Sequence, residues 1–175
     1  MSTTFTIPTI ETDRVILRAP KESDIADETS FFASDESRFV GGPMTAELTW
    51  RAIASVLGHW ALRGYGFWAL EERSTGAYLG RSGLWKPEGW PEEEIGWTLM
   101  PHARGRGFAT EAGRRAREYA YQILGWKTAI SLIDPSNAAS IAVARRLGAK
   151  QETTFEHERH GLMQIWRHPA PEELA

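Results

Sequence analysis

Arg104-Gly105-Arg106-Gly107-Phe108-Ala109 sets two glycines and two guanidinium groups between an apolar run, Ile95 to Met100, and a helical pattern that begins at Phe108. The chemistry of such a stretch is anion binding. Glycine lets the backbone approach a ligand closely and take positive φ. The first amides of the following helix have no partner within the helix, and the positive end of its dipole lies behind them. A strand, a glycine turn and a helix start in that order therefore make a cradle for a phosphate or pyrophosphate. The turn is neither a Rossmann G-x-G-x-x-G nor a P-loop ending in Gly-Lys-Ser/Thr. Further on, Asp134-Pro135-Ser136-Asn137 precedes a short helix that ends at Arg146-Leu147-Gly148-Ala149. Asn137 is a good N-cap for that helix.

These residues must be held by elements that the pattern lays out in order. Residues 12–19 alternate as a strand, and Pro20 stops it. Ser23 opens a helix through Phe32, and Gly41-Gly42-Pro43 breaks the chain. Thr45 caps a second helix with Leu48, Ala52, Val56 and Trp60 on one stripe, ended by Gly64 and Gly66. Strands follow at 67–70, 78–85 and 93–99, the last leading into the cradle. The main helix repeats Ala109, Ala112, Ala116, Ala120 and Ile123 on one side, with Arg114, Arg115 and Arg117 on others, and stops at Gly125. A strand at 128–133, a helix at 137–147 and a hairpin of 151–156 with 163–167 complete the chain. The order β-α-α-β-β-β-α-β-α-β-β predicts one α/β domain over residues 1–175, a mixed central sheet flanked by helices.

Composition narrows the function classes. At 175 residues the chain can bury about two-thirds of its unfolded surface. It has no cysteine, which removes disulfides and any thiol nucleophile or ligand. Five scattered His show no metal-ligand spacing. A net charge of −3 argues against a nucleic-acid partner. No apolar run approaches the ~20 residues of a membrane span, and Met-Ser-Thr-Thr-Phe is unlike a signal peptide, so a cytoplasmic location is expected. The composition leaves a homodimer open.

The spacing Arg104-x-x-Gly107-x-Ala109 resembles the acetyl-CoA signature of the GNAT superfamily of N-acetyltransferases, R/Q-x-x-G-x-G/A. The block from Asn137 to Leu147-Gly148 resembles the family's downstream Asn-to-Leu-Gly-Phe block. Thr12 to Arg18, Glu94-Ile95-Gly96-Trp97 and Ala109 to Ala112 are most similar to the RimJ/RimL-type branch, which acetylates protein N-termini and other amines. The resemblance implies a GNAT-like fold, acetyl-CoA as co-substrate, no metal, and a primary amine acceptor, either a protein N-terminus or a small molecule. It implies that the main chain of Arg104, Gly105, Arg106, Gly107, Phe108, Ala109 and Thr110 holds the CoA pyrophosphate. Trp97, Thr98 and Leu99 would flank the pantetheine arm on a strand that splays from its neighbour and offers an amide to the thioester oxygen. Asn137 would contact the pantetheine as well as cap its helix.

For the base, the resemblance points to Glu94; a solvated acidic turn is the competing reading, since Glu92 and Glu93 precede it. Many GNAT enzymes carry a leaving-group Tyr seven residues after the Asn, where this chain has Ala144; Ser140 matches a Ser of the RimJ/RimL branch. The missing phenol motivates a second reading, a CoA-binding sensor or scaffold. Trp85, Trp90 and Trp97 are expected near the central strands, as core or as groove walls. The acidic stretch Glu88 to Glu94 suggests an acidic acceptor groove, suited to a polyamine or aminoglycoside.

Overall fold

The computed structural model describes residues 5–174. Eight strands form one sheet: β1 (Ile10–Glu11), β2 (Val15–Arg18), β3 (Phe67–Glu72), β4 (Tyr78–Trp85), β5 (Glu94–Leu99), β6 (Ile130–Ile133), β7 (Lys150–His157) and β8 (Gly161–Arg167). Four helices accompany them: α1 (Ile25–Phe32), α2 (Ala46–Arg63), α3 (Phe108–Gln122) and α4 (Ala138–Arg146). The strand order is β1-β2-β3-β4-β5-β6-β8-β7, and every neighbouring pair is antiparallel except β5 with β6. The parallel step is where α3 crosses between them.

The core explains these elements. Leu17, Trp68, Leu70, Leu79, Leu84 and Ile95 are fully buried sheet residues, and Phe108, Ala112, Ala116 and Ala120 of α3 pack with them. Alanine at three of those helix positions lets α3 lie close on β4 and β5. Two caps behave as their residue types predict: Thr45 Oγ1 accepts from the Leu48 amide (3.3 Å), and Asn137 Oδ1 accepts from the Ser140 amide (3.1 Å).

Four expectations need correction. Ser23 lies inside a one-turn 3₁₀ segment, and α1 starts two residues later; the Asp24 carboxylate instead accepts from the Lys21 amide and pairs with Arg18 at 2.9 Å. Leu48 is exposed rather than on the buried stripe, because α2 buries Thr49, Ile53, Val56, His59 and Trp60. Ile123 is exposed at the end of α3, past the last buried alanine. Arg117 is buried, donating to the Leu147 carbonyl at 2.6 Å with its other contact at His168 Nδ1. The two-residue β1 carries too little pattern to be seen in the sequence.

Candidate active site

The parallel step is a split. β5 and β6 share a single register pair, Glu94 with Ile130, held by the Ile130 amide on the Glu93 carbonyl (3.0 Å). Beyond it, side chains replace the ladder. The Leu132 amide donates to Glu94 Oε1 (3.2 Å), and the Ser131 hydroxyl donates to the Ile95 carbonyl (2.6 Å). Ser131 therefore accepts from His168 Nε2 (2.9 Å), whose Nδ1 faces Arg117 Nη1 at 3.4 Å. Burial pulls the His168 imidazole down to about 3, so it sits neutral in this chain of contacts. The N–H and C=O of one strand residue point to the same side. Because the Glu93 and Ile95 carbonyls point at β6, the main-chain groups of Trp97 and Leu99 point into the open split.

Two clefts meet at the split. The larger, about 1350 Å³, is lined by Trp97, Thr98, Leu99, Arg104, Gly105, Gly107, Ala109, Thr110, Asn137 and Ser140. The smaller, about 450 Å³, is lined by Glu94, Trp97, Thr98, Asn137 and Ser140, with walls of Phe32, Phe67, Trp85, Trp90 and Met163. Trp97, Thr98, Asn137 and Ser140 border both. Every sequence-predicted site residue except Arg106 and Phe108 thus lines one cleft or the other.

Those two point elsewhere. The Phe108 ring is buried in the core. The Arg106 guanidinium lies over that ring and pairs with Glu72, while its carbonyl accepts from Arg14. Gly107 has φ 84° and Gly105 has φ 73°, as the turn requires. A Cβ on Gly105 would meet open space, which leaves room for a ligand against the backbone. Thr110 Oγ1 is buried with no partner and borders this cleft. A free hydroxyl and bare glycine backbone at a helix start fit an anionic group. Arg104 is paired with Glu36, and Arg14 with Glu111 at 2.5 Å. Arg114 and Arg146 also line this cleft and make no ion pair among the described residues. Sequence reading missed both. The signal for Arg114 was its place seven residues after Gly107, two turns along one helix face.

Glu94 is not a solvated turn residue. Its side chain is buried, and burial pushes its carboxyl up to about 7 against the pull of two donors. These are the Trp90 indole N–H (2.5 Å to Oε2) and the Leu132 amide. A carboxyl poised near neutrality can take up a proton at physiological pH. Its acidic neighbours are consumed by cations outside the cleft: Glu88 pairs with Arg63 (2.7 Å), Glu92 with Arg167 (2.5 Å), and Glu93 lies 3.6 Å from Lys86. Of the stretch Glu88 to Glu94, only Trp90 and Glu94 line the smaller cleft, beside Asp134. All three expected tryptophans line it.

Ser140 lies at the junction and accepts from the Trp97 indole N–H (3.3 Å), leaving its own proton free to donate. Ala144 is fully buried among Ile133, Ala149 and Trp166 and borders neither cleft. Among the described residues no group of three or more His, Cys, Asp or Glu could hold a metal, and no helix is long and apolar enough to cross a membrane.

A family model described as an acetyltransferase (GNAT) domain matches residues 14–150. An acetyltransferase from Agrobacterium tumefaciens str. C58 superposes on 97% of this chain and 98% of its own, with a TM-score of 0.86 and 31% identity. The N-acetyltransferase YoaA of Bacillus subtilis (strain 168) is 28% identical over 150 residues, 83% of this chain and 84% of its own. YkkB of the same organism is 34% identical over 97 residues, 53% of this chain; the match spans 56% of YkkB, about half its length. RimL, a ribosomal L7/L12 alpha-N-protein acetyltransferase solved in complex with coenzyme A, has a TM-score of 0.75 over 92% of this chain and 97% of its own; at 16% identity it shows the fold alone. The cradle, the split strand pair and these likenesses agree, and the chain belongs to the GNAT family of acetyltransferases, whose co-substrate is acetyl-CoA.

Proposed function

We propose that the protein moves the acetyl group of acetyl-CoA to a primary amine, a protein N-terminus or a small molecule, by direct attack, as a member of the RimJ/RimL-like branch. The observation that carries this is Glu94: a buried carboxyl of pKa about 7 at the head of the split, in the cleft that adjoins the cradle. When bound, acetyl-CoA supplies the acetyl group as a thioester. The main chain of residues 104–110 holds its diphosphate, with the buried Thr110 hydroxyl as a further partner, and Trp97, Thr98, Leu99 and Asn137 flank its arm. In the ionised state Glu94 Oε1 or Oε2 takes the proton that the amine must lose. The Trp97 amide faces the split without a β6 partner and donates to the developing oxyanion. The Ser140 hydroxyl, already accepting from Trp97 Nε1, donates a hydrogen bond to the departing sulfur, which takes its proton from solvent.

The test is thiol release from acetyl-CoA with a panel of amines, over pH 5.5–9.5. The wild-type rate rises through about pH 7 as Glu94 ionises. Glu94→Gln lowers the rate at pH 7 by roughly 10²–10⁴, with partial recovery at high pH where the free amine is abundant. An unchanged pH–rate profile removes Glu94 from the mechanism. Tight acetyl-CoA binding with no thiol release for any amine leaves the CoA-binding scaffold as the reading.

A further inference from the structure

The larger cleft holds two cations that nothing in the reaction above uses. Arg114 of α3 and Arg146 of α4 both line it, and neither makes an ion pair among the described residues. The two helices meet beside them: a Cβ on Gly113 would stand 3.1 Å from Leu147 Cδ1. Arg114 follows that glycine and Arg146 precedes that leucine, so the crossing brings both arginines to the same end of the cleft. Arg114 is seven residues past Gly107, about 10 Å along the helix axis from the cradle. Along that interval the α4 wall is Ala139, Ala142 and Val143, small side chains that leave room between the helices.

The charge of neither arginine is matched locally. The acidic neighbours of Arg114 on α3 are Glu111 and Glu118, within one turn of it on either side. Glu111 is taken by Arg14 (2.5 Å) and Thr12 (2.6 Å), and Glu118 lies 3.6 Å from Arg115. Asp13, in the β1–β2 turn, also borders the cleft but lies beyond ion-pair distance of both arginines. Arg146 is in the last turn of α4, where the helix dipole favours a cation. That accounts for Arg146 alone and not for a second cation at the same end of the cleft. Like charges repel, and an anion bound between them turns the repulsion into attraction.

Acetyl-CoA has two anionic parts, a diphosphate and, one ribose away, a 3′-phosphate monoester with close to two negative charges. With the diphosphate at the cradle, the monoester is the anion left for the far end of the cleft. Guanidinium forks donate paired hydrogen bonds to such a group. We propose that Arg114 and Arg146 recognise the 3′-phosphate of acetyl-CoA and make the protein prefer the phosphorylated co-substrate to its 3′-dephospho form. This rests on the larger cleft holding acetyl-CoA with its diphosphate at residues 104–110.

Binding is measured by calorimetry with acetyl-CoA and acetyl-3′-dephospho-CoA. The two share the thioester, the arm and the diphosphate, so any difference belongs to the monoester. The wild type is expected to bind acetyl-CoA at least ~10-fold more tightly. Arg114→Gln and Arg146→Gln should each narrow that margin, and the double variant should bring it below about twofold by weakening acetyl-CoA alone. Arg145→Gln removes the same charge from the adjacent position, which lies outside the cleft over the Trp166 ring, and should leave the margin intact. The inference is overturned if the wild type binds both forms alike, if the double variant keeps the margin, or if Arg145→Gln narrows it as much. Adenosine 3′,5′-bisphosphate against 5′-AMP, as competitors on the wild type, repeats the comparison without a variant. Wild-type protein that binds neither form of the co-substrate removes the cleft assignment as a whole; equal binding of both removes only the role of the two arginines.

Discussion

At the scale of single residues, the site separates what type alone reveals from what burial decides. Asn137 could be read as a cap from its type, and it is one. Glu94 could not be ranked above Glu92 or Glu93 by composition. Only the register shows that it is the residue at the split, where its carboxylate receives a main-chain amide that a paired strand would have taken. Ser140 and Ala144 are another such pair. A phenol at position 144 would enter the packing of Ile133 and Trp166, not a cleft, whereas the hydroxyl at Ser140 borders both clefts. A thiol is a fairly good leaving group, with a pKa near ~8.5 for a Cys-like model, and acid help should matter modestly. Ser140→Ala is expected to lower turnover roughly tenfold, about 1.4 kcal/mol, with little change in acetyl-CoA affinity. Steady-state kinetics beside calorimetry checks this. A large affinity loss with normal turnover would place Ser140 among the co-substrate contacts instead.

At the scale of elements, the glycine turn and the helix start behind it were legible from residue type. The turn's charge was not. The sequence shows Arg104 and Arg106 beside the glycines, but pairing with Glu36 and Glu72 depends on chain segments 68 and 34 residues away. Arg114 and Arg146, which remain unpaired there, come from two different helices that meet only in the fold. Gly107 remains the critical position, with φ 84° and Arg14 Nη2 3.4 Å from where a Cβ would stand. Gly107→Val forces a branched side chain into positive φ at the cradle. It should cost at least ~10-fold in acetyl-CoA affinity, about 1.4 kcal/mol. Calorimetry on a variant shown to be folded by circular dichroism decides it, and unchanged affinity would remove the cradle assignment. The strand split had no signal in the periodicity, since residues 93–99 and 128–133 read as ordinary strands whether or not they pair.

At the scale of the molecule, two buried titratable groups on either side of the split pull stability in opposite directions. Glu94 holds its proton up to about pH 7, whereas an unfolded carboxyl loses it near 4.5. Its favourable contribution is complete below pH 4.5 and disappears as pH rises through 7. His168 stays neutral down to about pH 3, against 6.5 for a free imidazole, so its contribution is lost as pH falls below 6.5. The difference in unfolding free energy between Glu94→Gln and wild type should therefore shift in favour of the variant by ~2 kcal/mol from pH 5 to pH 8. Urea titrations at the two pH values measure it. A difference that does not move with pH would mean that Glu94 titrates as a solvated carboxyl. The sheet itself was largely legible: seven of its eight strands and all four helices follow from apolar period and glycine or proline stops. What stayed hidden was the burial of Arg117, set by helical period on a face away from the alanine stripe and held by the Leu147 carbonyl and His168, 30 and 51 residues later.

The strand order has a consequence for synthesis. β1 to β5 lie side by side in the order in which they leave the ribosome, each antiparallel to the last. The first five strands can therefore pair as they emerge, the one long connection being that between β2 and β3, which carries α1 and α2. β6, α4, β7 and β8 come afterwards, and Ser131, Leu132, Asn137 and Ser140 come with them. A nascent chain stalled before residue 128 would hold the glycine turn, Glu94 and the β5 wall of the split but not its β6 wall, and β5 would present a bare apolar edge of the kind that recruits other strands. Function arrives last in this chain, with the segment that also covers its most adhesive surface.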